Sequence, residues 1–125
     1  MSKTDKNLKI AFANESQANT EYLAYAHKAM DEGLMEIAQL FREAAGAETV
    51  HALSHLQAMG VVRTTKENLK DAAEGEDLEI FSIYPKFIEE ARSEGREEAV
   101  KSFTIAFERE KHHRVMFRQA LRNLK

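Results

Sequence analysis

Cysteine and tryptophan are absent from the 125-residue sequence, and proline occurs once. The lack of cysteine removes disulfides, thiolate metal sites and cysteine nucleophiles together. One proline and five glycines are too few turn formers for a sandwich or barrel of many short strands. No apolar run approaches the roughly 20 residues of a membrane span, and the polar stretch Met1–Lys9 is unlike a signal peptide. A cytoplasmic protein without membrane contact is expected. Positive charge is not in excess either: 18 basic residues face 21 acidic ones, a net charge of -3. The basic footprint left by phosphate contact is missing, so nucleic acid is not an expected partner. What the sequence does have is 43% apolar and 31% charged residues, enough to fill and coat one domain over residues 1–125. Alanine, glutamate, lysine, leucine and arginine dominate, which favours helix. The expected class is all-α.

Punctuation divides the chain into four helical segments that form two hairpins, about 5–59 and 65–124. The first segment runs from about Asp5 to Glu32, with Thr4 or Asp5 as N-cap and Gly33 as the stop. The second runs from about Leu34 to Met59, before Gly60. The third follows Thr64 or Thr65, with Glu67 placed to complete a capping box on Thr64, and ends near Glu94. The fourth runs from about Arg96, after Gly95, to Leu124. Pro85, deep in the third segment, lacks a backbone donor and predicts a kink or a wider turn there.

Each segment carries a stripe at three- and four-residue steps, which is one face of a helix. The first reads Leu8, Phe12, Glu15, Asn19, Tyr22, Ala26, and the second Ile37, Phe41, Ala44, Glu48, His51, His55, Ala58. The third reads Leu69, Ala72, Glu76, Glu79, Ile83, Phe87, and the fourth Ala99, Phe103, Ala106, Glu110, His113, Phe117, Ala120, Leu124. Glutamates sit among apolar residues on all four stripes, and histidines on two. An offset of 62 residues pairs Tyr22 with Tyr84, Gly33 with Gly95, Phe41 with Phe103, Glu48 with Glu110 and His51 with His113. The two hairpins therefore read as copies, each carrying half a site. The same offset sets Glu15 on Asp77, one position from Glu76, so the register slips around that acidic pair.

An unpaired carboxylate in a bundle core costs several kcal/mol. Five inward glutamates (Glu15, Glu48, Glu76, Glu79 and Glu110) demand positive charge, and no lysine or arginine lies on the stripes near them. A pair of metal ions of variable oxidation state supplies it. Carboxylate and imidazole donors suit two iron ions, with manganese or a mixed pair as alternatives; the lack of thiolates speaks against copper(I) and iron–sulfur clusters. Glu48-Thr49-Val50-His51 and Glu110-Lys111-His112-His113 each set a carboxylate and an imidazole one turn apart. Two such Glu-x-x-His motifs, with a glutamate from each remaining helix, make the di-iron carboxylate pattern of helix bundles.

These residues resemble the ferritin-like domain of the rubrerythrin family over nearly the whole chain. The resemblance rests on Glu15-Ser16-Gln17-Ala18-Asn19, on both Glu-x-x-His motifs, and on Gly75-Glu76-Asp77-Leu78-Glu79 with Tyr84-Pro85. The added Glu-x-x-Glu on the third helix separates rubrerythrins from ferritins. The resemblance implies a ferritin-like four-helix bundle whose di-iron centre reduces hydrogen peroxide to water. It implies that Glu48 and Glu110 bridge the irons, that Glu15 and Glu79 hold one iron with His51 nearby, and that Glu76 and His113 hold the other. On reduction, His51 would replace Glu79. The hydroxyls of Tyr22 and Tyr84 would orient ligand carboxylates. Many rubrerythrins carry a rubredoxin domain with four cysteines; this sequence has none, so a separate electron donor is expected, such as a rubredoxin or a flavoprotein.

In ferritin-like bundles the second and third helices run parallel, so their connection must return along the bundle. With His51 and Glu76 level, the return covers roughly 28 Å at about 1.5 Å per residue, and about 9 Å sideways. The stretch from Met59 to Thr65 reaches at most about 21 Å. The expectation is a homodimer with exchanged hairpins, helices one and two of one subunit completing the site with helices three and four of the other.

Two other functions suit the same ligands: a ferroxidase or iron-handling protein using oxygen, and a metal-stabilised dimerisation module without turnover. A manganese catalase fits less well, because of the added Glu-x-x-Glu. His55, one turn beyond His51, reads as a hydrogen-bonded core histidine rather than a ligand. His27 and His112 read as surface residues, and Tyr25 and Phe81 as packing.

Overall fold

The structure, a computed structural model, describes residues 1–124. Helix α1 spans Lys3–Asp31, α2 Met35–Met59, α3 Thr65–Leu78, α4 Tyr84–Ser93 and α5 Glu97–Asn123. A single π-helical turn, Glu79–Ile83, joins α3 to α4 without a break. There is no strand among the described residues, so the expected all-α class holds. Among those residues, no helix is long and apolar enough to cross a membrane.

The helix ends follow local chemistry. The start of α1 lies earlier than the expected Thr4 or Asp5, because Ser2 takes the extended cap conformation and its Oγ accepts the Asp5 N–H at 3.1 Å. Asp5 instead sits in the first turn, where its charge favours the helix dipole. At Thr64 the capping box is present: the Glu67 N–H donates to Thr64 Oγ1 at 3.2 Å, and the Thr64 N–H donates to Glu67 Oε2 at 3.4 Å. Pro85 falls in the first turn of α4, directly after the π-helical turn. With no N–H and a ring that crowds the carbonyl four residues back, proline is relieved by the wider turn.

The chain divides into two compact units, Met1–Val62 and a second beginning at Arg63. In the first, α1 packs on α2 through buried Ala26 and Ala29 against Ala38, Ala45 and Ala52, three alanines seven residues apart. Small side chains on this seam let the backbones approach closely. In the second, α3 and α4 pack on α5, with Ala73, Ile80 and Ala91 buried. The internal repeat is visible in the turns. Gly33 and Gly95 take φ of +75° and +69°, and the Leu34 and Arg96 N–H groups reach back to the Ala29 and Ala91 carbonyls at 2.8 and 2.9 Å. It is visible again in two aromatic clusters, where the Phe41 ring lies 5.5 Å from Tyr25 and the Phe103 ring 5.5 Å from Phe87.

Several residues differ from the expected core. Ile37 and Phe87 remain 46% and 41% exposed, Ala58, Ala120 and Leu124 at the stripe ends are exposed, and Phe81, expected to pack, is 67% exposed. Among the described residues, no large side chain is fully buried. Two or three helices enclose the small residues of their seam but leave the large ones at its flanks half-covered.

Candidate metal centre

In the first hairpin, Glu15 stands on α1 and Glu48 and His51 on α2, one helical turn apart. One donor atom from each lies within 4.8 Å of the others. His51 Nδ1 is 3.7 Å from Glu15 Oε1 and 3.7 Å from Glu48 Oε1. Both carboxylates are half-buried, while the imidazole is 54% exposed. Glu15 Oε2 is out of contact with solvent and has no well-directed hydrogen bond, although His55 Nε2 lies 2.5 Å from it. Asn19, one turn beyond Glu15, fixes the register of the two helices: its amide donates to the Ala45 carbonyl at 2.8 Å and to Thr49 Oγ1 at 2.6 Å.

In the second hairpin, Glu76 on α3 meets Glu110 and His113 on α5 with the same closeness. His113 Nδ1 is 3.9 Å from Glu76 Oε1, and Glu76 Oε2 is buried without a partner. The residue facing the Glu-x-x-His is thus Glu76, not the Asp77 that the 62-residue offset selects. Successive helix positions differ by about 100°, and Asp77 turns instead to Arg114 and Arg118, accepting hydrogen bonds from both. The bond from Arg114, reinforced by Arg118, holds the Asp77 carboxyl below its usual value near 3.8, against the opposing effect of burial.

Of the remaining expected site residues, Glu79 is half-buried on the π-helical turn and belongs to neither group. Tyr22 packs its ring 6.2 Å from Phe41, and Tyr84 packs 6.2 Å from Phe103. Among the described residues, neither hydroxyl has a hydrogen-bond partner; the tyrosine that does is Tyr25, to Glu21 at 3.3 Å. The Asp77–Arg114–Arg118 cluster was not anticipated. Its one sequence signal is the pair of arginines four residues apart on one face of α5.

Two donors each about 2.1 Å from one ion lie at most about 4.2 Å apart. The 3.7 and 3.9 Å separations fall inside that limit. Each group also holds a carboxylate oxygen that neither solvent nor a well-directed donor satisfies. The residues present therefore fit a cation in each hairpin, and oxygen with imidazole donors suit iron or manganese.

The Rubrerythrin family model matches residues 6–121. The chain belongs to the rubrerythrin family. It is 40% identical over 115 residues to a rubrerythrin of Porphyromonas gingivalis, covering 82% of this chain and 58% of that protein. It is 33% identical over 137 residues to a rubrerythrin of Nitratidesulfovibrio vulgaris, covering 99% of this chain and 72% of that one. The chain thus spans under two thirds of the first relative's length. Among solved structures it is similar to a nigerythrin in its fully reduced, all-ferrous state, with a TM-score of 0.50 and 31% identity over 98% of this chain and 68% of that one. The fold class is accordingly the ferritin-like one of rubrerythrins.

Proposed function

We propose that the chain is a di-iron oxidoreductase that reduces hydrogen peroxide to water, with electrons from a separate donor protein such as a rubredoxin or a flavoprotein. One observation carries this reading: each hairpin presents a Glu/Glu/His group whose donor atoms lie within 4.8 Å of one another. Family membership supports it. In this reading Glu48 and Glu110 would serve both metals, Glu15 and Glu79 would hold one, with His51 in reserve, and Glu76 and His113 would hold the other. When bound, a ferrous pair supplies the two electrons and the Lewis acidity that cleave the O–O bond.

The chain's own residues hold and tune that pair. Asn19 locks Glu15 in register with Glu48, and the Asp77–arginine cluster does the same for Glu76 and His113 across α3 and α5. His51 is the most exposed donor of its group, so its imidazole has room to rotate toward and away from a metal. Glu79 stands on a π-helical turn, a feature that loosens the helix ladder and recurs at functional sites. These two properties suit an exchange of His51 for Glu79 as the charge on the metals falls. Tyr22 and Tyr84, whose hydroxyls have no partner among the described residues of their own hairpins, would orient carboxylates and hold protons needed for water formation once the hairpins assemble around the metals.

The same reading includes a homodimer with exchanged hairpins. Only Gly60–Thr64 separates α2 from α3, and each hairpin leaves its large apolar side chains half-covered, awaiting another hairpin. Complementation tests this: chains carrying Glu48→Ala and Glu110→Ala are each inactive, and refolding them together recovers about a quarter of the activity, from the one intact site in each mixed dimer. No recovery refutes the exchange. For the oxidant, the diferrous protein is mixed with hydrogen peroxide or oxygen in single turnover. Faster oxidation by peroxide supports the proposal; faster oxidation by oxygen makes the protein a ferroxidase instead.

A further inference from the structure

We infer that His55 is a positioning residue that confines Glu15 to one-oxygen binding of its metal, so that the terminal glutamates of the two metals bind unequally. The inference rests on the dimetal reading above. The two oxygens of Glu15 face different partners: Oε1 points to His51 Nδ1 at 3.7 Å, in the group with Glu48, while Oε2 lies 2.5 Å from His55 Nε2 and is closed to solvent. A nitrogen and an oxygen that close need a proton or a cation between them. Two donors on one ion at right angles stand roughly 3 Å apart, so the contact is too short for a shared metal and fits a shared proton. A rotation of the imidazole brings its N–H into line with Oε2, leaving Oε1 for the metal.

The second hairpin lacks this device. The residue 62 positions after His55 is Phe117, whose ring lies 6.3 Å from that of His113 and offers no donor. Glu76 Oε2 is buried with no partner, so both Glu76 oxygens are available to a metal. The repeat that duplicates the ligands therefore does not duplicate what stands behind them.

The test is anaerobic cobalt(II) titration of the full chain, following affinity, stoichiometry and visible absorption, with circular dichroism as the check on folding. Wild type binds two cobalt ions of unequal affinity. His55→Phe, which copies the second hairpin, weakens one ion by about 10- to 100-fold and leaves the other unchanged. It also lowers the absorption intensity, because the freed Oε2 raises the coordination number of that ion. His55→Gln, whose amide can donate, restores both properties. If His55→Phe does not fold, His55→Ala takes its place with the same losses expected. An unchanged titration and spectrum in the folded variant overturns the inference. A fall from two ions to one that His55→Gln does not rescue also overturns it, by making His55 a ligand. If wild type binds no cobalt, the dimetal reading itself has failed, and this inference with it.

Discussion

Removing the metals should destabilise the protein by an amount that the structure bounds. Glu76 Oε2 is closed to solvent and has no partner, whereas the matching oxygen of the first hairpin, Glu15 Oε2, faces His55. A buried acceptor left unsatisfied costs roughly 1–3 kcal/mol, a burden on the metal-free protein that a bound cation returns. Unfolding entropy of about 2.1 cal/mol/K per residue makes each kcal/mol worth about 4 °C in a chain of this length, so loading should raise Tm by about 4–11 °C. The assay is anaerobic calorimetry at one protein concentration, comparing chelated protein with protein loaded with ferrous iron or cobalt(II). Glu76→Gln is the control. Its neutral amide relieves the metal-free state, so that variant melts no lower than wild type without metal, yet it loses most of the rise on loading. If metal-free and loaded proteins melt together, or if Glu76→Gln keeps the whole rise, the buried oxygen is not what the metals satisfy.

Asn19→Ala removes two interhelical hydrogen bonds of the first hairpin and should cost about 1–2 kcal/mol in urea denaturation; wild-type stability would contradict the register role. The lowered Asp77 carboxyl stabilises the fold wherever it is ionised, fully above its ordinary value near 3.8, and this is lost as pH falls through the lowered value. Asp77→Asn is therefore less stable than wild type at neutral pH, and the gap narrows on acidification; a gap independent of pH refutes the assignment. Gly33→Ala meets open space but must hold φ of +75°, costing about 1–2 kcal/mol. Gly46→Ala, inside α2 and equally uncrowded, should instead gain about 0.5–1 kcal/mol, both read from thermal melts.

Much of this architecture is legible in the sequence because it is set by neighbours along the chain. Thr64 and Glu67 form their capping box from residues three apart, Gly33 and Gly95 end helices by their own φ, and Pro85 imposes its wider turn locally. The Glu-x-x-His spacing likewise puts Glu48 with His51, and Glu110 with His113, on one face before any tertiary contact forms. What is not legible depends on which way a helix is rotated against another. Spacing along α3 already marks Glu76 as inward, but the partners of its neighbour Asp77, the arginines at 114 and 118, emerge only from how α3 lies against α5. His55 offers the same stripe position as a core histidine, and only the closeness of Glu15 Oε2 gives it a task. The stripes also mark Ile37 and Phe87 as inward, without telling how many helices are needed to cover them.

The proposed function requires that the two Glu/His groups together hold one pair of metals rather than two unrelated ions. Mössbauer spectroscopy of protein loaded with ferrous iron-57 and oxidised by one equivalent of peroxide addresses it directly. Two irons per chain sharing bridging glutamates give a spin-coupled, diamagnetic ferric ground state. A spectrum of isolated, magnetically uncoupled ferric ions would contradict the account.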